Sequence, residues 1–224
     1  MPSTRKASVR RSQGAVALAR ARLRATGGWR VARASVWMVT AGFAVVALVL
    51  RIADGSDAAL GGLIVAAAHA VTWLAGAPLA LAAARDHRSA DRRDGVLALA
   101  AARGVSSQSL ASARVIAAMA EIAAAVGLPV LLLALLTAAL SGRAAAALDR
   151  VALGLGAVGF AIVAGVTLGG LGSACGRVGG ARGGWLLFAV VVAPWLLADL
   201  AGHGAWSIPG ALGAVLDFAL RVRA

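Results

Sequence analysis

Long blocks of apolar residues constrain this chain more than any other feature of its sequence. Leu, Val and Ala follow one another in runs, without the spacing of an amphipathic helix or strand. The chain is 61% hydrophobic and only 14% charged, whereas about a quarter of the residues of a soluble domain are charged. Because a soluble fold could not cover so much apolar surface, we expect a lipid bilayer as solvent. The sequence predicts an all-α polytopic membrane protein.

Five apolar segments are candidates for crossing the bilayer, on the expectation of about 20 apolar residues per span. We predict a transmembrane domain over residues 36–201, with spans at about 36–50, 60–84, 115–140, 151–174 and 185–201. The remaining segment, 205–224, is amphipathic. We favour a helix that lies in the membrane interface there. The alternative is a short sixth crossing, which would return the C-terminus to the cytoplasm.

The positive charge is concentrated at the start of the chain. Nine of the 22 Lys and Arg residues precede Val36, with no acidic residue among them. We predict a basic tail over residues 1–35 that interacts with anionic lipids, each basic residue contributing about 1 kcal/mol near the surface. Nucleic acid would attract the same charge, but no reading motif accompanies it, so no nucleic-acid partner is expected.

The distribution of basic residues also predicts orientation. With a cytoplasmic N-terminus, the inside segments hold 16 Lys and Arg residues and the outside loops hold 3, leaving aside Arg114 and the C-terminal pair. The composition, rich in Ala, Gly and Arg, favours a bacterial inner membrane over an organelle. We therefore expect an integral protein of that membrane.

A short amphipathic helix is predicted between the second and third spans, in the sequence ADRRDGVLALAAARG (residues 90–104). Asp94 is placed to cap it and to complement its dipole, and Gly104 is placed to end it. In the predicted topology this helix lies on the cytoplasmic face. Two interpretations stay open: it rests on lipid, or it passes force from a cytoplasmic partner into the spans. Its candidate contact residues are Asp94, Gly95, Val96, Leu97, Leu99, Arg103 and Gly104.

This stretch resembles type-2 ABC transporter permeases. DGVLALAAARGVS, followed by a long span with an internal proline, is similar to that family's acidic-Gly-x-Leu-x-x-Leu/Ala-x-x-x-Pro-Val-Ser pattern after the second span. GVTLGGLGSACGR and ARGGWLLFAVVVAP are similar to its fourth span, basic turn and fifth span, including those of the membrane subunit of cytochrome c-maturation haem exporters. The resemblance covers roughly residues 30–200. The family more often has Pro at the position of Gly104, Glu at that of Asp94, and six spans.

The resemblance implies a permease subunit whose segment 94–104 docks on a separate ATP-binding subunit. It also implies pairing with a second copy or with a related permease, and substrate export driven by that ATPase. The chain itself carries no phosphate-binding loop, since its one lysine is Lys6. We therefore expect no enzymatic activity or cofactor in this chain, and no metal site is expected because its three histidines are widely separated and its one cysteine stands alone. The alternative is a non-transporting membrane scaffold or assembly factor.

Two polar residues within predicted spans are candidates for function. Glu121 is the one Glu in the chain, and an acidic residue within a span is a functional candidate by default. The equally weighted alternative is that Glu121 reaches the interface or pairs with Arg114. His69 is better explained as a polar contact between helices than as a ligand.

A face of small residues is predicted in the fourth span. Gly165 and Gly169 form a GxxxG pair, and Gly172 and Gly176 continue the same face. Such spacing lets helix backbones approach closely. We expect these glycines to serve helix packing, within the bundle or across a dimer.

Overall fold

The fold is that of a helical bundle, seen in a computed structural model that describes residues 3–53, 56–85, 87–202 and 207–221. About 90% of the described residues are helical, and none of them forms a strand. A π-helical turn, Thr72–Gly76, joins α3 to α4, and a 3₁₀ turn, Gly180–Arg182, joins α8 to α9. The α-helices are α1 Ser3–Arg24, α2 Gly27–Ile52, α3 Asp57–Val71, α4 Ala77–Ala83, α5 His87–Arg93, α6 Val96–Ala102, α7 Ser107–Ala139, α8 Ala144–Gly179, α9 Gly183–Leu200 and α10 Ile208–Arg221.

Four helical stretches are long and apolar enough to cross a membrane: Gly27–Ile52, Asp57–Ala83, Ser107–Ala139 and Ala144–Leu200. Each exceeds the roughly 20 residues that a span requires. The prediction of an all-α membrane protein is thereby confirmed. The last stretch contains both α8 and α9. These helices are separated where Gly180 adopts φ 50° and ψ −119°, and they then pack against each other.

The helices begin earlier than the apolar blocks from which they were predicted. α2 begins at Gly27 because the Thr26 hydroxyl accepts a hydrogen bond from the Trp29 N–H at 3.3 Å. α7 begins at Ser107, because the Ser106 hydroxyl accepts a hydrogen bond from the Ser109 N–H at 3.0 Å. Hydropathy locates the part of a helix in hydrocarbon, whereas capping side chains determine where the backbone becomes helical. The region predicted as a basic tail contains α1 and the first turns of α2.

The core of the bundle is an antiparallel pair, α7 and α8. Gly154 of α8 faces Ala134 of α7, and further along α8 Gly165 faces Met119, so the two helices run in opposite directions. Buried residues from α3, α4, α9 and α10 complete the same core. α10 contributes three buried leucines, Leu212, Leu216 and Leu220.

The bundle has two ends of different chemistry. We call one the Arg150 end, because the buried Arg150 guanidinium donates hydrogen bonds there to the Asp57 carbonyl at 2.6 Å and to the Ser141 hydroxyl at 2.7 Å. We call the other the basic end. It carries α5, α6, the last turns of α1 and the turn Gly180–Arg182.

Candidate functional site: the loop helices and ion pairs of the basic end

The predicted short helix is α6, Val96–Ala102. Gly104 adopts φ 70°, and its N–H donates to the Ala101 carbonyl at 2.9 Å. The Val105 N–H donates to the Ala100 carbonyl, also at 2.9 Å. This pair of bonds is the Schellman arrangement, in which a left-handed residue closes a helix. Gly104 therefore ends the helix.

The start of α6 differs from the expectation. Gly95, with φ 69°, is the N-cap residue and makes no side-chain capping bond. Asp94, which we expected to cap the helix, instead accepts a hydrogen bond from Arg22 Nη1 at 2.6 Å. The expectation fails because the Asp94 carboxylate pairs with Arg22 of α1 instead. A capping rule considers only neighbouring residues, so it cannot predict a charged partner that is distant in sequence.

Two carboxylates anchor the loop helices to the rest of the bundle. Asp91, at the C-terminal part of α5, is only 3% exposed and forms an ion pair with Arg114 of α7. Asp94 holds the turn between α5 and α6 against Arg22 of α1. The segment between α4 and α7 is thereby fixed to α1 and to α7.

The outward side of α6 presents apolar residues. Leu99 is 54% exposed, and Val96 and Leu97 are half-buried. Ala100 is buried on the inner side. Exposed arginines flank this surface, Arg92 and Arg93 before the helix and Arg103 after it. An apolar strip bordered by cations can take a partner that offers an apolar groove with acidic edges.

Glu121 lies one tenth exposed between α1 and α7 and is paired. Arg24 donates to it from Nε at 3.2 Å and from Nη2 at 2.8 Å, and Arg20 lies 3.6 Å away. The pKa of the Arg24 guanidinium is raised above its ordinary value because Glu121 accepts its hydrogen bonds and lies beside it as an opposite charge. Arg114, which one of the open alternatives paired with Glu121, instead pairs with Asp91. The alternative of a pair with Arg114 is wrong, because α1, which supplies the nearer arginines, lies in the region predicted as a basic tail on anionic lipids.

The remaining candidates lie within the bundle. His69 is half-buried next to α10, where a Cβ added to Gly213 would lie 3.8 Å from its Cε1. A Cβ on Gly165 would lie 2.6 Å from the Met119 carbonyl oxygen, and one on Gly169 would lie 2.8 Å from the Met119 nitrogen. Gly172 faces Ala80, and Gly176 faces Ala83 and Ala84. These glycines bring α8 against α7 and α4.

Sequence reasoning missed the part played by α1. This helix packs on α7, with Ala15 and Ala19 buried against Ala113 and Ala117. It also brings Arg22 to Asp94. A usable signal was present, since Ala15, Ala19 and Leu23 recur every four residues and form one apolar face.

Comparisons with known proteins identify no relative: no family model, curated protein or solved structure matches this chain.

Proposed function

We propose that this chain is the membrane-spanning permease subunit of an ABC transporter that exports its substrate. It has five spans, with α8 and α9 as the fourth and fifth, a coupling helix and a C-terminal amphipathic segment. ATP is hydrolysed on a separate subunit, and the permease pairs with a second copy or a related chain. α6 is the coupling helix in this proposal.

The observation that supports the proposal is the placement of α6. A helix of seven residues is too short to bury itself, yet the segment just before it is held by two ion pairs, Asp91 of α5 to α7 and Asp94 of the α5–α6 turn to α1, and residues 103–106 link α6 directly to α7. Leu99 of α6 stays exposed, while Val96 and Leu97 are half-buried. A docked partner that moves α6 would therefore move α4 and α7 with it.

Orientation in the bacterial inner membrane belongs to the same proposal. The basic end carries α1, the loop helices and the arginines of the α8–α9 turn. Cytoplasmic loops are enriched in Lys and Arg, so we place the basic end and the N-terminus in the cytoplasm, where the ATPase subunit is found.

The test is copurification of an ATPase with the full-length protein from its native membrane in mild detergent. The Leu97→Asp/Leu99→Asp double variant should lose any protein that carries a phosphate-binding loop, as identified by mass spectrometry. The matched control is Leu148→Asp, which charges a 70% exposed leucine near the Arg150 end and should retain the ATPase.

Two results would count against the coupling role. One is equal recovery of the ATPase with the double variant and the control. The other is the absence of any protein with a phosphate-binding loop from the wild-type sample, which is what a membrane scaffold or assembly factor predicts.

A further inference from the structure

A groove of about 310 Å³ runs between α2 and α7. Its volume is at the lower end of the range for small-molecule sites, roughly 300–1,000 Å³. α2 lies at the edge of the bundle, since only 6% of its most apolar window is buried inside it. The residues that line the groove include Arg24, Arg33 and Glu121 at one end and Val36, Leu128 and Leu132 at the other.

The polar end of the groove is cationic. Glu121 is the one acidic residue among its described lining residues. Arg24 and Arg20 share this carboxylate, while Arg33 lies over the Trp29 ring at 5.5 Å. The groove lining thus carries two guanidinium groups, Arg24 and Arg33, and one carboxylate, an excess of one positive charge, and Arg20 adds a second cation beside Glu121 from outside the lining. The Arg24 side chain is 55% exposed and has N–H groups to spare for a second anion.

From its polar end to its apolar end, the groove is about as long as one lipid leaflet is thick. Leu132 follows Glu121 by 11 residues of α7, which corresponds to about 16 Å of helix. This is about half the roughly 30 Å thickness of a bilayer hydrocarbon core. Leu128 and Leu132 are 59% and 61% exposed, so they offer open apolar surface. Trp29 lies in the first turn of α2, where an interfacial indole is expected.

We propose that this groove binds one anionic phospholipid. Its phosphate lies against Arg24 and Arg33, and an acyl chain lies between α2 and α7 beside Leu128 and Leu132. Because the polar end of the groove is positively charged, an acidic headgroup is favoured over a zwitterionic one. The site is independent of the proposed transport function, because it requires no ATPase. It also differs from the general attraction of basic residues to a membrane, because it has a defined cavity.

Native mass spectrometry of the detergent-purified full-length protein tests the proposal. The probes are phosphatidylglycerol and phosphatidylcholine with identical acyl chains. We expect one phosphatidylglycerol per chain to survive activation, with little phosphatidylcholine. Arg33→Ala should lower phosphatidylglycerol occupancy about fivefold. Arg30→Ala removes the same charge from an exposed position of α2 outside the groove and should leave occupancy unchanged.

A second pair of variants tests the acyl-chain end. Leu132→Trp fills the groove and should abolish the retained lipid, whereas Leu135→Trp, at a 46% exposed position outside it, should not. If Leu132→Trp does not fold, Leu128→Trp applies the same test. Equal binding of the two lipids, equal loss in Arg30→Ala and Arg33→Ala, or full occupancy in the filled groove would overturn the proposal.

Discussion

Each acidic residue that organises the basic end is held by an arginine from a different helix. Asp91 pairs with Arg114 while only 3% exposed. Asp94 pairs with Arg22 although its side chain is 49% exposed. The two pairs should therefore contribute different amounts to the free energy of unfolding. Exposed ion pairs contribute about 0–1 kcal/mol, whereas removing one partner of a buried pair costs about 3–5 kcal/mol.

Asp91→Asn should lower the stability of the protein far more than Asp94→Asn. The reason is that Asp91→Asn leaves the Arg114 guanidinium, 22% exposed, without its counter-charge. We expect a loss of about 3–5 kcal/mol for the first variant and at most about 1 kcal/mol for the second. Thermal unfolding of the detergent-purified proteins, followed by tryptophan fluorescence, measures both.

The double variant Asp91→Leu/Arg114→Leu separates charge from packing. Replacing both members of a buried pair by apolar residues is often close to neutral, so most of the stability should return. Equal melting temperatures for Asp91→Asn and Asp94→Asn would show that the burial of Asp91 has no energetic consequence.

At the residue scale, the sequence pointed to Glu121 and Asp94, but it pointed neither to the buried Asp91 nor to the arginine partners of these residues. Glu121 and Asp94 stood out by their rarity and position, and both are engaged. Their arginines lie 97 and 72 residues away along the chain. Rules for i, i+4 pairs and for caps reach only one or two turns, so no local rule could find these partners.

Among the helices, α8 shows how glycine position decides which neighbours fit. A Cβ at Gly172 would collide with the Ala80 carbonyl of α4, whereas a Cβ at Gly159 would meet nothing within 4 Å. The two glycines share one helix and should respond to the same substitution with opposite sign.

Gly172→Ala should destabilise the protein and Gly159→Ala should stabilise it. Overpacking costs about 1–3 kcal/mol, because α4 must move away from α8 to admit the methyl group. At Gly159 the same change gains helix propensity of up to about 1 kcal/mol. Melting temperatures of the two purified variants in one detergent give the comparison. A rise for both would mean that α4 and α8 are not in close contact.

The elements themselves were predictable to different degrees. α6 and its end at Gly104 follow from local signals, because a left-handed glycine after an apolar run needs no tertiary information. α1 could not be predicted in this way. Its mean composition is basic, and its small apolar face contributes to packing only because α7 lies beside it. Each apolar segment predicted as a span overlaps a long helix, while those helices begin up to nine residues earlier.

For the whole molecule, the decisive prediction is which end faces the cytoplasm. Ala102 is exposed at the end of α6, and Ala145 is exposed in the first turn of α8. Cys175 is the one cysteine, so single cysteines can be placed at either position in a Cys175→Ser background.

A membrane-impermeant maleimide added to intact cells should label Ala145→Cys and leave Ala102→Cys unlabelled. After permeabilisation, Ala102→Cys should react as well, because the charge distribution predicts that the basic end lies inside. Labelling of Ala102→Cys in intact cells would put α6 out of reach of any cytoplasmic ATPase and would exclude it as the coupling helix.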